Sequence, residues 1–357
     1  MSYTNGLDNP ELFFQTKLYT GNGGTLAVTL DGDENMQPDF VWLKDRDGTN
    51  GHFLYDSART ATKELNSETV QAEQTKSGGL TAFDSNGFTL GDYSGTNGNT
   101  VNHVAWNWKA GTSFTNDASS TSIGDIDSAG RVSTDAGISL CTWTGNGSNS
   151  QTVKHGLSTA PELIILKARG QGTYGWITYD AINGAGKYLT LNNTDAPVSD
   201  TGMWSNTAPT SSVFSLSNGG NTAITNPNTI TMMAWCFHSV KGYSKIGTFT
   251  GNGSASSGPY VHLGFRPAWV MIKRSGGAGG WEIYDSKRDG FNPKVHGVTA
   301  NTSNAEDNTD DLLDLLSNGF KLYHDGSGLN TDGSAYIYMA FAESPFVNSK
   351  GVPNNAR

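Results

Sequence analysis

Pro38-Asp-Phe-Val-Trp-Leu-Lys44 occurs three times in this chain. It returns as Pro161-Glu-Leu-Ile-Ile-Leu-Lys167 and as Pro267-Ala-Trp-Val-Met-Ile-Lys273. Four apolar residues in a row lack the period-2 alternation of a half-exposed strand, so each copy reads as a strand covered on both faces. Proline at the first strand position forgoes its N–H at little cost. The Lys at the end, followed by Arg46, Arg169 or Arg274, reads as the return of the chain to water.

Other markers repeat around this stretch in fixed order. Thr-Gly-Asn-Gly begins at Thr20, Thr144 and Thr250, at offsets of 124 and 106 residues. Tyr-Asp pairs follow at Tyr55-Asp56, Tyr179-Asp180 and Tyr284-Asp285. Then come Phe88-Thr-Leu90, Phe214-Ser-Leu216 and Phe320-Lys-Leu322. Each unit closes on Ala105-Trp106, Ala234-Trp235 or Ala340-Phe341. Self-similarity at a near-constant period marks internal repetition. The expected fold class is all-β: three tandem homologous antiparallel β-sandwich domains of roughly 100 residues each. The repeats span residues 1–109, 135–240 and 241–347. Residues 110–134, rich in Ser, Thr, Gly and Asp, read as a linker, and 348–357 as a polar tail. One helix is expected, from Asp310 to Gly319, with acids at its start and glycine at its end.

Composition narrows the function. Against 23 Lys and Arg stand 33 Asp and Glu, a net charge of −10. With no basic run, the chain is poorly suited to neutralising phosphates, so nucleic acid is not an expected partner. The longest apolar runs, about five residues, fall far short of the roughly 20 that cross a bilayer. No membrane insertion is expected. Met1-Ser-Tyr-Thr-Asn-Gly has no basic-then-apolar pattern, so a soluble chain made in a cytoplasm is expected. Cys141 and Cys236, 95 residues apart, carry no zinc spacing and read as buried thiols in neighbouring strands.

No catalytic constellation stands out. Gly170-Gln-Gly-Thr-Tyr-Gly175 matches a dinucleotide fingerprint, but a strand and not a helix follows it, so it reads as a hairpin loop. The seven histidines form no metal-ligand spacing. His155 and His262, just ahead of the repeated strand, read as rings bonded to backbone. Acidic loops such as Asp31-Gly-Asp-Glu34 and Asp307-Asn-Thr-Asp-Asp311 lack the EF-hand pattern and read as solvated turns. Asp56 with Arg59, and Asp285 with Arg288, read as pairs that orient a loop; the second copy lacks the Arg. A glycosidase would need two carboxyls on one cleft, and no such pair is evident along the chain. The chain is therefore expected not to be an enzyme and to carry no cofactor and no metal. Trp176, Trp204 and Trp281, beside loops, are the candidate contacts for a glycan or a protein partner, because exposed aromatics stack on sugar rings and anchor interfaces. For each alone, partial burial in the core is the preferred reading.

Taken together, Tyr19-Thr-Gly-Asn-Gly23, Pro38–Arg46, His52-Phe-Leu-Tyr-Asp-Ser57, Asn86-Gly-Phe-Thr-Leu-Gly91 and Val104–Gly111 resemble a repeated β-rich domain of tailed, marine-type bacteriophages. Trp281–Asp285, Leu316–Lys321 and Tyr338–Glu343 are similar to the same domain. The resemblance covers nearly the whole chain and brings no active site. It implies a non-enzymatic virion structural protein on the particle surface, assembled in the host cytoplasm. Within that, a tail-associated protein of tail-fibre or receptor-binding type that contacts the host surface is expected first. A capsid or tail decoration protein is the alternative, and the absence of a coiled-coil or collagen-like shaft gives it weight. A polysaccharide-degrading enzyme of the particle comes last. The partners implied are other virion proteins, a host-surface glycan and further copies of the chain as a homo-oligomer.

Overall fold

The repeated strand lies in the middle of the protein three times over. A computed structural model describes residues 7–218, 225–307, 312–326, 328–348 and 350–354. In the first copy the large sheet runs, in spatial order, Phe14–Thr20, Asn102–Trp108, Phe40–Asp45, His52–Asp56, every pair antiparallel. The second copy repeats the order with Ile138–Thr144, Thr231–Phe237, Leu163–Ala168 and Ile177–Asp180. The third does so with Ser244–Thr250, Ala335–Pro345, Phe265–Arg274 and Trp281–Asp285. The protein is all-β and built of antiparallel sheets.

A smaller sheet covers one face of each large sheet. It is Leu26–Thr29, Gly87–Leu90 and Leu80–Asp84 in the first copy, and Gln151–Lys154 with Val213–Leu216 in the second. In the third it is Tyr260–His262, Gly319–Leu322 and Leu313–Leu316. Side chains alternate across a strand, so the four apolar residues divide two and two. Val41 and Leu43 pack with Phe88 and Leu90 under the small sheet. Ile164 and Leu166 do the same with Phe214 and Leu216, and Val270 and Ile272 with Phe320 and Leu322.

The other two residues of each strand enter one common core. Phe40 and Trp42, Leu163 and Ile165, and Trp269 and Met271 belong to a single buried cluster drawn from all three copies. Aromatic rings join the copies pairwise. Phe40 stacks on Trp235 at 4.3 Å, Trp108 meets Trp269 edge-on at 5.6 Å, and Phe237 meets Phe341 at 6.1 Å. Each fully buried large side chain stabilises by about 1.5–3 kcal/mol. The three units are thus arranged about a shared interior.

Each Gly-Asn-Gly turn is pinned by a buried asparagine from ahead of the closing strand. Asn97, Asn226 and Asn330, all 0% exposed, accept from the turn's Asn N–H at 2.8, 3.1 and 2.8 Å. The second glycine, Gly23, Gly147 or Gly253, has φ between +63° and +72°, a region that favours glycine. The cysteines are free and buried, in the paired strands Ile138–Thr144 and Thr231–Phe237.

Three expectations are corrected. Residues 110–134 are not slack: Thr112–Asn116 and Ser128–Ser133 are strands that extend the second large sheet beyond Ile138–Thr144. Leu313–Leu316 is a strand, hairpinned to Gly319–Leu322; Leu313 and Leu315 face the core and Asp314 does not. The pattern Leu-Leu-Asp-Leu-Leu fits either period over so short a run, and the hairpin turn decides it; Asp310 and Asp311 lie outside the described residues. Lys44, Lys167 and Lys273 do not mark a return to water, since all three are 0% exposed.

Candidate functional site

Alternation explains where the lysines go. Two residues beyond Trp42, Ile165 or Met271, each Lys points to the same side as those residues, toward a neighbouring copy. Lys167 Nζ donates to the carbonyls of Tyr174 at 2.6 Å and, in the first copy, Val70 at 2.9 Å. Lys273 Nζ donates to Gly279 at 2.7 Å and, in the second copy, to Thr194 at 3.1 Å and Asp195 at 2.9 Å. Lys44 Nζ donates to Asn50 at 2.8 Å and, in the third copy, to Ser303 at 3.4 Å. The second copy holds the first, the third holds the second, and the first holds the third. The chain closes on itself as a pseudo-threefold ring. Burial lowers all three ammonium groups to about 8.

The Tyr-Asp motif serves the same junctions. Trp235 Nε1 donates to Asp56 in the first copy at 3.2 Å, and Trp106 Nε1 to Asp285 in the third at 3.0 Å. Arg59 Nε and Arg288 Nε each donate to their own Asp at 2.6 Å with both side chains fully buried. Two forked pairs finish the staples: Arg169 to Glu73 at 2.8 and 3.0 Å, and Arg46 to Glu306 at 2.7 and 2.9 Å. Burial, the largest influence, would raise Asp285; the Arg288 charge and the hydrogen bonds from Arg288 and Trp106 together outweigh it and hold that carboxyl below its ordinary value.

The junction of copies two and three departs at every one of these positions at once. Phe341 stands where Trp106 and Trp235 donate. Ser275 stands for Arg46 and Arg169, Asn183 for Arg59 and Arg288, and Pro197 for Glu73 and Glu306. Asp180 has Asn183 in place of the Arg, donating to it through its N–H and amide, and burial raises its pKa.

The sequence-predicted tryptophans belong to this scaffold too: each lies in the core, as preferred for it alone, and their candidacy as surface contacts is corrected. Trp176, Trp204 and Trp281 are 0%, 1% and 1% exposed. Trp176 Nε1 donates to Asn66 O in the first copy at 2.9 Å, and Trp281 Nε1 to Thr190 O in the second at 3.1 Å. His52 fills this place in the first copy. Its Nδ1 accepts from Trp42 Nε1 at 2.8 Å, which leaves Nε2 to carry the proton toward Thr299 O of the third copy, 3.2 Å away. Trp204 lies under the second copy's small sheet against Tyr179. His155 is held by backbone groups as expected, between Leu157 N and Thr210 O. His262 is not: it is exposed and meets the Tyr260 hydroxyl at 3.2 Å. No group of three or more His, Cys, Asp or Glu able to hold a metal ion occurs among the described residues.

Apart from the staples, a polar cleft opens in the first copy beside the hairpin strand. It holds about 280 Å³ in the first copy and is lined by Asn50, Phe53, Asn66, Gln71, Gln74 and Tyr93, with Glu64, Glu68 and Lys76. The strand register fixes the counterparts of its two acids. Glu64 corresponds to Tyr188 and Gly297, and Glu68 to Asn192 and Asn301. The residue at the second position caps the start of the hairpin strand. Asn192 Oδ1 accepts from Trp176 N at 2.8 Å and Asn301 Oδ1 from Trp281 N at 2.9 Å, while Glu68 accepts from His52 N at 3.1 Å. Glycine precedes the capped residue each time. A Cβ on Gly51 would lie 1.7 Å from Glu68 Oε1, so only glycine lets the carboxylate sit there.

The two acids differ in environment. Glu64 is buried and takes a hydrogen bond from the Tyr55 hydroxyl; burial raises its pKa, against that bond and the Lys76 charge. Burial pushes Glu68 up to about 7, opposed by its backbone bonds and Lys44 and reinforced by Glu64. Lys76 lies over the Tyr93 ring at 5.1 Å. The arrangement can accept hydrogen bonds from a bound molecule and can exchange a proton near neutrality. Sequence reasoning missed it because Glu64 and Glu68 carry no motif. The signal was the loss of Asn at one repeat position, visible only once the register aligns the copies.

A family model described as "Domain of unknown function (DUF7483)" matches residues 9–345. No curated protein and no solved structure matches the chain.

Proposed function

Because the chain belongs to the DUF7483 family, which carries no assigned function, we propose its role from the geometry and the phage resemblance: a non-enzymatic structural protein on the surface of a tailed-phage particle. It is tail-associated and contacts the host surface, in the manner of a tail-fibre or receptor-binding protein. The observation that carries this reading is the ring closure. The motifs on which the resemblance rests are the parts that stitch copies together: the central Lys, the Tyr-Asp pair and the closing Trp. Chemistry-bearing groups spent on a rigid interior leave loops and surface clefts to meet other molecules.

The same closure favours a second reading, a capsid or tail decoration protein. A chain with threefold pseudo-symmetry offers three similar loop sets to a threefold site on a particle. Antibody against the chain, imaged on particles by electron microscopy, separates the two. Label at the tail tip and binding to host cells support the first; label over the capsid, with binding to empty capsids and none to cells, supports the second. Shortening of host polysaccharide by purified protein would overturn both in favour of an enzyme.

A further inference from the structure

We propose that the first-copy cleft is a binding site for one ring of a neutral saccharide, with the Glu68 and Glu64 carboxyls accepting from its hydroxyls. The inference rests on the host-contact reading and names the ligand that contact would use. The cleft is not an acidic patch alone. Side-chain amides of Asn50, Asn66, Gln71 and Gln74 surround the two acids, Lys76 adds a donor, and Tyr93 forms part of the wall. A polyhydroxylated ring presents alternating donors and acceptors, and this set answers both. Its volume, about 280 Å³, lies at the small end of ligand sites and suits a single ring.

The internal copies supply the control. The same fold position makes its cap with Asn192 in copy two and Asn301 in copy three. A carboxylate is therefore not needed for the cap. Where Glu64 stands in copy one, copy two has Tyr188, buried in the hydrophobic cluster, and copy three has Gly297. Only the first copy places two acids together, and it does so where burial penalises their charge. A buried acceptor is relieved by donors, and hydroxyls of a sugar supply them without bringing charge. A cation is a poorer fit, because only two carboxyls face the cleft and Lys76 shares it.

Saturation-transfer NMR of the full-length protein at pH 8 tests this. The probes are glucose, galactose, mannose, maltose and cellobiose, with calcium chloride and glucosamine in separate arms. Transfer to at least one neutral sugar is expected, with affinity falling at least tenfold in Glu68→Asn and in Tyr93→Leu. Glu68→Asn reproduces the cap of the other copies, so the variant folds. No transfer to any neutral sugar, transfer unchanged in both variants, or competition by calcium or glucosamine alone would overturn the site. Loss of the site leaves the particle-labelling result untouched, and a capsid location leaves the binding result untouched, so the two failures are distinct.

Discussion

Replacing Glu68 with the asparagine of the other copies should make the protein more stable at pH 8 and leave it unchanged near pH 4. The cap survives, since Asn192 and Asn301 make it at 2.8 and 2.9 Å. What the substitution removes is the cost of ionising a carboxyl in a desolvated place. The folded-state pKa is raised from 4.5 to about 7. A raised pKa means that the folded state favours the protonated acid. Its contribution is fully present below about 4.5 and is lost as pH rises through about 7. At 1.36 kcal/mol per pKa unit, the full difference is roughly 3 kcal/mol; access of water to the cleft reduces it to about 2–3 kcal/mol. At roughly 2.1 cal/mol/K per residue of unfolding entropy, that raises Tm by about 3–4 °C at pH 8. Guanidinium melts of both proteins across pH 4–8 give the answer. The difference should open between pH 4.5 and 7. Equal stability at pH 8, or a difference independent of pH, would refute the reasoning that Glu68 is held against its own stability.

Other substitutions test the staples. Asp285→Asn should cost about 3–5 kcal/mol in denaturant melts, because buried Arg288 loses its bonded carboxylate and keeps only the longer contact to Glu306 at 3.5 Å. Asp180→Asn should stay within about 1 kcal/mol, since no Arg faces it. Glu306→Gln, at the junction where the chain's two ends meet, should cost about 2–4 kcal/mol. Lys17→Ala, which breaks an exposed pair with Asp31, should cost under about 1 kcal/mol by the same melts. Trp281→Ala should cost about 3–5 kcal/mol and leave sugar binding per folded molecule unchanged, as measured by NMR. Cys141 and Cys236, whose pKa values burial raises, should react with a thiol reagent only on unfolding.

The sheets were legible in the sequence because burial on two faces writes a run of four apolar residues, and three copies of that run agree. The destination of the second face was not. Phe40, Trp42, Leu163, Ile165, Trp269 and Met271 read the same whether each copy has a private interior or all share one. The lysines misled for the same reason. A Lys after an apolar run usually ends it, and carbonyls of its own loop together with those of the neighbouring copy make burial tolerable at Lys44, Lys167 and Lys273. Trp176 and Trp281 sit beside Gly-rich loops, which suggests solvent; the loops in fact lie against another copy. The Asp–Arg pairing was readable from spacing alone, because Asp56 and Arg59 are local partners three residues apart. Their Trp and Glu partners come from elsewhere in the ring and leave no local trace. Residues 110–134 have the composition of a linker, yet they form a hairpin-like pair of strands at the end of the sheet that buries little, with Thr112–Asn116 at the edge.

Chain connectivity accounts for which junction lost its staples. Copies one and three hold the two ends of the repeats, so nothing covalent keeps them together, and Arg46–Glu306 with Trp106–Asp285 does that work. Copies one and two are joined through residues 110–134, a long path that leaves the faces free to part, and Arg169–Glu73 with Trp235–Asp56 closes them. Copies two and three are joined by the shortest route, a tight turn in which Ser244 N donates to Val240 O at 2.8 Å. A short tether already keeps those faces at high effective concentration, so the junction forms without paired charges. Desolvating an ion pair costs several kcal/mol per ion, and an apolar contact such as Phe237 against Phe341 carries no such cost. Paired charges are therefore kept where they specify which faces meet, and are absent where the chain path has already specified it.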